Sequence, residues 1–183
     1  IRPDSTGLTL VPTPQIAAGT PSWAQDGRMA FNQLQSAGAP GGGWYVLRPS
    51  EPGGGLELQP PIDATRFFWP LAWSQDNTRL AGVVPYPSGV GLGVYTLASR
   101  QYATRPGDAS WLAMAWLSDG RRLIVRDDRG IWVVHPDRQD WRQLVSVGGY
   151  ILGRSVGLTR DDKWITYTET GTEGDIWIAT LKK

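Results

Sequence analysis

Apolar and polar positions recur along this chain in one pattern that appears four times. Each unit has a turn containing Asp, then a short apolar run, then a second run rich in aromatic residues. Because short apolar runs bounded by turn residues are typical of β-strands, the chain is predicted to consist of many short strands. The turns begin at residues 23, 73, 116 and 158, the apolar runs are 29–31, 80–84, 123–125 and 164–167, and the aromatic runs are 44–47, 94–97, 131–134 and 176–179.

Each unit is predicted to form a four-stranded antiparallel blade. Fourth strands follow the aromatic runs at 56–58, 102–104 and 141–145, and the Asp-Gly and Asp-Asn pairs favour tight hairpin turns. A single blade cannot bury both of its faces, so neighbouring blades must stack. The predicted fold is therefore all-β, a β-propeller of about four four-stranded antiparallel blades that forms one domain over residues 1–183.

The two ends of the chain leave two arrangements open. The last unit stops without a fourth strand, whereas the segment 8–11 precedes the first turn as an extra strand. Pairing of that strand with the last blade would close a ring and remove exposed sheet edges. The same offset would arise if the chain were part of a larger propeller.

The turn motifs also resemble those of a known family. The segments near 21–31, 71–84, 114–125 and 156–167 resemble the TolB-like propeller repeat, a relative of the tryptophan–aspartate repeat. That pattern is roughly Pro-x-Trp-Ser-x-Asp-Gly-Lys/Arg followed by an apolar strand, and Pro21–Phe31 matches it nearly completely. The fourth copy is the weakest, with Leu158 in place of Trp and Asp162 in place of Gly. The resemblance implies the fold but not one function, because such repeats serve scaffolds, sensors and enzyme accessory domains alike.

Composition and charge exclude several classes of function. The net charge is +1, from 18 Lys and Arg against 17 Asp and Glu, which argues against nucleic-acid binding by phosphate neutralisation. The absence of cysteine excludes disulfides, cysteine-ligated metals and thiol nucleophiles. No run approaches the roughly 20 apolar residues of a membrane-spanning helix. An extracytoplasmic location is expected, periplasmic or at the cell surface, from the start at Ile1 and from the family resemblance.

No catalytic, metal or cofactor site is predicted. His135 is the single histidine, and no nucleophile-elbow motif accompanies it. The four repeated Asp residues are each expected to cap their own hairpin turn, and the pair Asp127–Asp128 is expected in a solvated turn. The glycine-rich segments 41–43, 53–55 and 89–93 lack the Lys-Ser/Thr of a phosphate loop and are predicted to be hairpin loops.

The 10 tryptophans exceed what the repeat needs. Trp23, Trp73 and Trp116 open the repeats and are predicted to fill the gaps between blades. Four others stand outside the repeat positions: Trp69, Trp111, Trp141 and Trp164. Aromatic residues in the links between blades, near the channel mouth, are predicted either to form a binding platform or to plug the narrow axis or pack between blades; they are Phe67, Phe68, Trp69, Trp111 and Tyr150. The arginines in the same links suit carboxylate or peptide partners or are solvated rim charges; they are Arg66, Arg105 and Arg154.

These features favour a non-catalytic protein–protein interaction or scaffold module that uses a loop-bearing propeller face. One alternative is a glycan-binding or small-ligand sensor domain, and another is the accessory propeller of a hydrolase encoded elsewhere. A protein or peptide partner is expected, a glycan stays an alternative ligand, and the chain could be a subunit of a larger assembly.

Overall fold

The computed structural model describes residues 17–34, 43–51, 55–63, 65–110, 112–138, 140–146, 151–170 and 174–180. These residues form sixteen β-strands, β1 to β16, in four antiparallel sheets, and no helix occurs among them. Within the same ranges, no helix has the length and apolar character needed to cross a bilayer.

The sheets are called blades 1 to 4 in chain order. Consecutive strands pair as a meander in blades 2, 3 and 4, whereas in blade 1 both β1 and β2 pair with β3, which is followed by β4 and β5. Blade 1 contains β1–β5, blade 2 β6–β9, blade 3 β10–β13, and blade 4 β14–β16. The bounds are β1 Ala17–Ala18, β2 Ser22–Trp23, β3 Met29–Leu34, β4 Trp44–Leu47, β5 Glu57–Gln59, β6 Trp69–Trp73, β7 Arg79–Tyr86, β8 Gly89–Thr96, β9 Gln101–Ala109, β10 Ala113–Trp116, β11 Leu123–Asp127, β12 Gly130–His135, β13 Asp140–Ser146, β14 Ile151–Leu158, β15 Trp164–Thr170 and β16 Gly174–Thr180.

The predicted all-β propeller fold is confirmed. Each repeated turn joins the inner strand of a blade to its second strand, and its Asp accepts a backbone N–H two residues later, as between Asp26 and Arg28 (3.1 Å) and between Asp76 and Thr78 (3.1 Å). These short carboxylates satisfy the turn's own donors, which is why Asp recurs there.

The hydrophobic core lies between blades. One cluster joins blades 1 and 2, a second joins blades 2 and 3, and a third joins blades 3 and 4. Trp73 donates its indole N–H to the carbonyl of Ser22 in the preceding blade (3.0 Å), and Trp116 donates to Ala72 in the same way (3.1 Å). The expectation that the repeat tryptophans fill the gaps between blades is correct for these two.

Trp23 is different from its two counterparts. Its side chain is 60% exposed, whereas Trp73 is 8% and Trp116 is 5% exposed. A repeat tryptophan packs against the blade before its own, and the described residues place no blade there for Trp23. The prediction of a core role for Trp23 is therefore wrong for the described structure. The predicted strand at 8–11, which would bear on ring closure, lies outside the described residues.

The glycine-rich segment 89–93 was predicted to be a hairpin loop, and this prediction is wrong, because the segment forms the first five residues of β8. Gly93 lies opposite Gly82 of β7. A Cβ on Gly82 would come within 2.7 Å of the Phe68 ring, and one on Gly93 within 3.2 Å. The two glycines thus leave room for an aromatic ring to lie directly on the sheet, and this close approach explains glycine inside a strand.

Candidate functional site

The structure separates the residues predicted for the binding platform. Phe68 is fully buried and packs edge-on against Trp44 and Tyr102, with ring centroids 5.4 Å away in each case. Phe68 therefore belongs to the core between blades 1 and 2, and its predicted place on an exposed platform is corrected. The cause is the glycine pair beneath its ring, which lets the ring pack against the sheet instead of facing solvent.

Phe67 and Trp69 are half-buried. Trp69 is the first residue of the inner strand β6 and packs against the core between blades 2 and 3. Its indole nitrogen is buried without a hydrogen-bond partner among the described residues. Trp69 therefore contributes mainly packing here, which is the second of the two roles expected from its sequence position.

Arg66 is held by its own turn. Its Nε donates to Oδ2 of Asp63 (2.6 Å), and its guanidinium carbon lies 5.4 Å from the ring centroid of Tyr86. The backbone N–H of Thr65, the Arg66 guanidinium and the Thr65 hydroxyl together hold the pKa of Asp63 well below its ordinary value. The hydrogen bond to Asp63 in turn raises the pKa of Arg66. Arg66 thus stabilises the link between blades 1 and 2.

The remaining predicted residues are only partly described. Trp111 and Tyr150 lie outside the described residues, and of Arg154 only the backbone, within β14, is described. Binding by these residues stays a prediction.

A different site appears between blades 2 and 3, along their outer strands, and we call it the rim cleft. One half has a volume of about 260 Å³ and the other about 190 Å³. Leu92, Arg105 and Trp141 line both halves. Val94 and Pro136 add apolar surface to the larger half, and the smaller half extends to Asp127 and Arg129, among other lining residues.

An arginine stacked on a tryptophan divides the rim cleft. Arg105 of β9 is exposed, and its guanidinium carbon lies 4.5 Å from the ring centroid of Trp141 on β13. Leu92 of β8 is paired in register with Arg105, so both point toward blade 3. Such a cation–π contact restrains the guanidinium while its edge stays able to donate hydrogen bonds.

Asp127 organises the wall of the smaller half. This carboxylate is almost fully buried and accepts from the Arg129 backbone (2.9 Å), the Gly130 backbone (3.0 Å) and the Trp132 indole (2.9 Å). Nη2 of Arg129 also contacts its other oxygen (2.9 Å). The expectation of a solvated turn at Asp127 is wrong, because these donors compensate the carboxylate for its loss of water. Asp128 behaves as expected and accepts from Ser110 at the surface.

Among the described residues that line the rim cleft, the polar side chains are those of Thr104, Arg105, Asp127 and Arg129, and the others are apolar or glycine. The Asp127 carboxylate already accepts from several donors. No group of three or more His, Cys, Asp or Glu side chains that could hold a metal ion occurs in the described part of the chain. His135 is half-buried at the end of β12.

Sequence reasoning found these residues only in part. The sequence predicts Arg105 in a link between blades, as a contact for a carboxylate or peptide or as a solvated rim charge, but it lies within β9. Trp141 is one of the four tryptophans that lie outside the repeat positions, and this was the one feature of the sequence that could have drawn attention to it. Nothing in the sequence pairs the two, because they lie on different blades. Of the other surplus tryptophans, Trp164 on β15 is 43% exposed.

No protein-family model matches the sequence, and no curated protein matches it. Several solved structures are similar to it. TolB from Acinetobacter baumannii superposes with a TM-score of 0.70 at 19% identity, over 93% of this chain and 42% of that chain. A chain of the mitotic checkpoint complex superposes with a TM-score of 0.63 at 15% identity, over 93% and 51%. The gluconolactonase XC5397 from Xanthomonas campestris superposes with a TM-score of 0.64 at 15% identity, over 96% and 61%.

These similarities show that the chain has the TolB-like β-propeller fold. The chain spans 42%, 51% and 61% of the length of the three structures. The similar structures include an enzyme as well as a chain of a multiprotein complex, so the fold alone does not assign a function.

Proposed function

We propose that this TolB-like β-propeller is a non-catalytic binding module that takes a peptide segment of a partner protein in the rim cleft. The observation that carries the proposal is the exposed residue Arg105, whose guanidinium carbon lies 4.5 Å from the Trp141 ring centroid and which lines both halves of the cleft. Arginine and tryptophan, together with tyrosine, are enriched among the residues that contribute most to binding at protein–protein interfaces.

The shape of the rim cleft favours a peptide over a drug-sized ligand. The cleft consists of two adjoining depressions, of about 260 Å³ and 190 Å³, rather than one enclosed pocket. Two adjoining depressions of this size suit neighbouring side chains of one extended segment. The apolar walls at Leu92 and Val94 would bury such side chains.

A glycan is the weaker candidate at this place. Sugars are held in protein sites by stacking on aromatic faces, but the Trp141 face is occupied by the Arg105 guanidinium at 4.5 Å. The Trp132 edge is likewise close to Trp141, with ring centroids 6.2 Å apart. The non-catalytic part of the proposal draws support from the composition of the cleft, in which no nucleophile and base pair meet among the described residues.

The wider biological setting is part of the same proposal. Similarity to TolB and to a chain of the mitotic checkpoint complex supports a protein partner or membership of a larger assembly. The extracytoplasmic location expected from the sequence is retained as a proposal on the same fold-level ground.

The test is selection of peptides from a phage-displayed random library on the immobilised protein, followed by measurement of Kd with synthetic copies. Trp141→Ala is expected to weaken the selected peptides by about tenfold or more, because it removes the aromatic support of the cleft. Ala103→Phe, at an exposed position that lines the cleft, is expected to weaken them by steric filling with Trp141 left in place.

Trp164→Ala is the control, since Trp164 is also a partly exposed tryptophan but lies on β15 in blade 4 and does not line the rim cleft. Its peptide Kd should remain that of the unaltered protein, and thermal unfolding of all three variants verifies that they fold. The proposal is overturned if no peptide is selected, or if the selected peptides bind Trp141→Ala and Ala103→Phe as tightly as the unaltered protein.

A further inference from the structure

The gap between blades 1 and 2 indicates which kind of side chain fits the rim cleft between blades 2 and 3. We propose that the partner segment inserts an aromatic side chain into the larger half of the rim cleft. Its ring would take the place that an aromatic ring of this protein takes between blades 1 and 2. This inference rests on the proposed function, because it names the side-chain chemistry that the same site would recognise.

Trp44 and Leu92 occupy the same position in successive blades. The residue that pairs with the repeat tryptophan is Met29 in blade 1 and Leu80 in blade 2. Three positions further along the second strand, the cross-strand partner is Trp44 in blade 1 and Leu92 in blade 2. Trp44 belongs to the core cluster between blades 1 and 2, and Leu92 to the cluster between blades 2 and 3. Each side chain therefore packs toward the following blade from the same place in the sheet.

Three aromatic rings pack together in the gap between blades 1 and 2. Trp44 is fully buried and lies edge-on to Tyr95, with ring centroids 5.0 Å apart and an interplanar angle of 85°. The Trp44 indole N–H donates to the Tyr102 hydroxyl (2.6 Å), and the centroids of Tyr95 and Tyr102 are 4.7 Å apart. Blade 1 supplies one of the three rings and blade 2 supplies the other two, so the rings span the gap.

The same place between blades 2 and 3 has smaller side chains. The residues at the three corresponding positions are Leu92 for Trp44, Val134 for Tyr95 and Trp141 for Tyr102. Two of the three aromatic rings are thus replaced by aliphatic side chains. The larger half of the rim cleft, of about 260 Å³, lies at this place and is lined by Leu92 and Trp141.

The walls of the larger half suit an aromatic ring. Apart from two polar residues, its described lining residues are Leu92, Val94, Ala103, Pro136 and Trp141. An apolar cavity of about 150 Å³ is already large enough for a benzene-sized molecule. An aromatic side chain buries roughly 150–250 Å² of surface and gains further from contact with a second ring. Because the Arg105 guanidinium lies over the Trp141 ring, the incoming ring would meet the indole edge, in the edge-on arrangement of Trp44 and Tyr95.

The first experiment changes the peptides selected on the immobilised protein. We expect an aromatic residue at one position of these peptides, and its replacement by Ala should raise Kd about tenfold or more. Replacement of the same residue by Leu should raise Kd about threefold or more, because Leu supplies apolar area without the contact between rings.

The second experiment fills the larger half from within the protein. Leu92→Phe places a ring at the position that corresponds to Trp44 and is expected to weaken the aromatic peptide about tenfold or more. Leu92→Met is the matched control, because it conserves volume, and it should change Kd by less than about twofold. The peptide with Ala in place of its aromatic residue should bind Leu92→Phe and the unaltered protein within about twofold of each other, since it places no ring in that half.

A second filling variant keeps the test decisive if Leu92→Phe does not fold. Ala103 is exposed and lines the larger half, so Ala103→Phe fills the same space without altering the core. It should discriminate between the aromatic peptide and its Ala counterpart in the same way. Thermal unfolding of each variant verifies its fold before Kd is measured.

The outcomes separate the aromatic inference from the proposed function. Peptides that weaken with Trp141→Ala and Ala103→Phe but tolerate replacement of each aromatic residue by Ala would overturn the aromatic inference and leave the proposed function standing. Unchanged affinity when the aromatic residue is replaced by Leu would do the same, because any apolar side chain would then suffice. Equal weakening of the aromatic peptide and its Ala counterpart by the filling variant would also contradict the inference. Peptides indifferent to Trp141→Ala and Ala103→Phe, or no selected peptide, would overturn both.

Discussion

Trp23, Trp73 and Trp116 occupy the same position in three successive blades but differ in burial, which makes them a matched series for mutation. Trp73 and Trp116 are 8% and 5% exposed and donate to a backbone carbonyl of the preceding blade at 3.0 and 3.1 Å. Trp23 is 60% exposed. We expect Trp73→Ala and Trp116→Ala to lower the free energy of unfolding far more than Trp23→Ala.

The magnitudes follow from burial. A tryptophan buries roughly 200 Å² of surface in a core, which is worth ~5 kcal/mol at ~25 cal/mol per Å². Measured truncations of buried tryptophan cost ~3–5 kcal/mol. Trp73→Ala also removes the ring under Arg28 and the donor to Ser22, so we expect a loss of ~4–6 kcal/mol in total. Trp23 has buried less than half of its area, and Trp23→Ala should cost ~1–2 kcal/mol.

The assay is urea unfolding followed by far-UV circular dichroism, with midpoints and slopes compared across the three variants. Equal slopes are required before midpoints are converted to free energies, because arrays of repeats can unfold in parts. Should Trp73→Ala fail to fold, Trp73→Phe keeps one aromatic ring and removes the indole donor and part of the ring volume, with an expected cost smaller than that of Trp73→Ala. A loss for Trp23→Ala as large as that for Trp73→Ala would refute the reasoning, since it would mean that Trp23 is covered.

Two further expectations concern the sheet and the turns. Gly82→Ala should lower the urea midpoint by an amount equivalent to ~1–3 kcal/mol, because the new Cβ would meet the Trp69 carbonyl oxygen at 2.2 Å; Gly27→Asn, where nothing lies within 4 Å and φ is +86°, is the tolerated control. The turn carboxylates predict acid sensitivity: the hydrogen bond from Arg28 lowers the pKa of Asp26, and hydrogen bonds outweigh burial to lower that of Asp119. Because a lowered folded-state pKa stabilises the fold above the ordinary value of 3.8, that stabilisation is lost as the pH falls below 3.8 through the folded pKa values. The double variant Asp26→Asn, Asp119→Asn should lose less Tm between pH 5 and about 3 than the unaltered protein, and an unchanged loss would contradict this account.

The repeat was sufficient to predict the blades because their strands pair with near neighbours in the chain. Each apolar run and aromatic run of the sequence falls within or largely overlaps a strand of the predicted order, as in Trp44–Leu47 and Leu123–Asp127. The turns could also be predicted from the sequence, since Asp26 and Asp76 accept hydrogen bonds from residues of their own turns. These interactions need no knowledge of how one blade sits on the next.

The burial of individual side chains could not be read in this way. Phe68 is an example. Its ring is buried because it packs on two glycines that lie on different strands and become neighbours only when β7 and β8 pair. The glycine-rich segment resembled a loop from composition, yet its missing side chains are what allow Phe68 to pack on the sheet. The sequence shows where the glycines are, but it does not show which side chains pack against them.

The rim cleft could not be predicted from the sequence either, because it depends on how two blades pack against each other. Arg105 and Trp141 belong to different blades, and their contact is determined by the stacking of blade 3 on blade 2. Within the core, Arg28 over Trp73 and Arg79 over Trp116 join successive blades, and each guanidinium is largely buried with a carboxylate of the chain beside it. At the rim the same stacking unit recurs on an exposed arginine beside a cleft. The contact between arginine and tryptophan that joins blades in the core is accessible to another molecule at the rim cleft. Arg105 is therefore a candidate for recognition because of its position on the cleft and not because of its residue type.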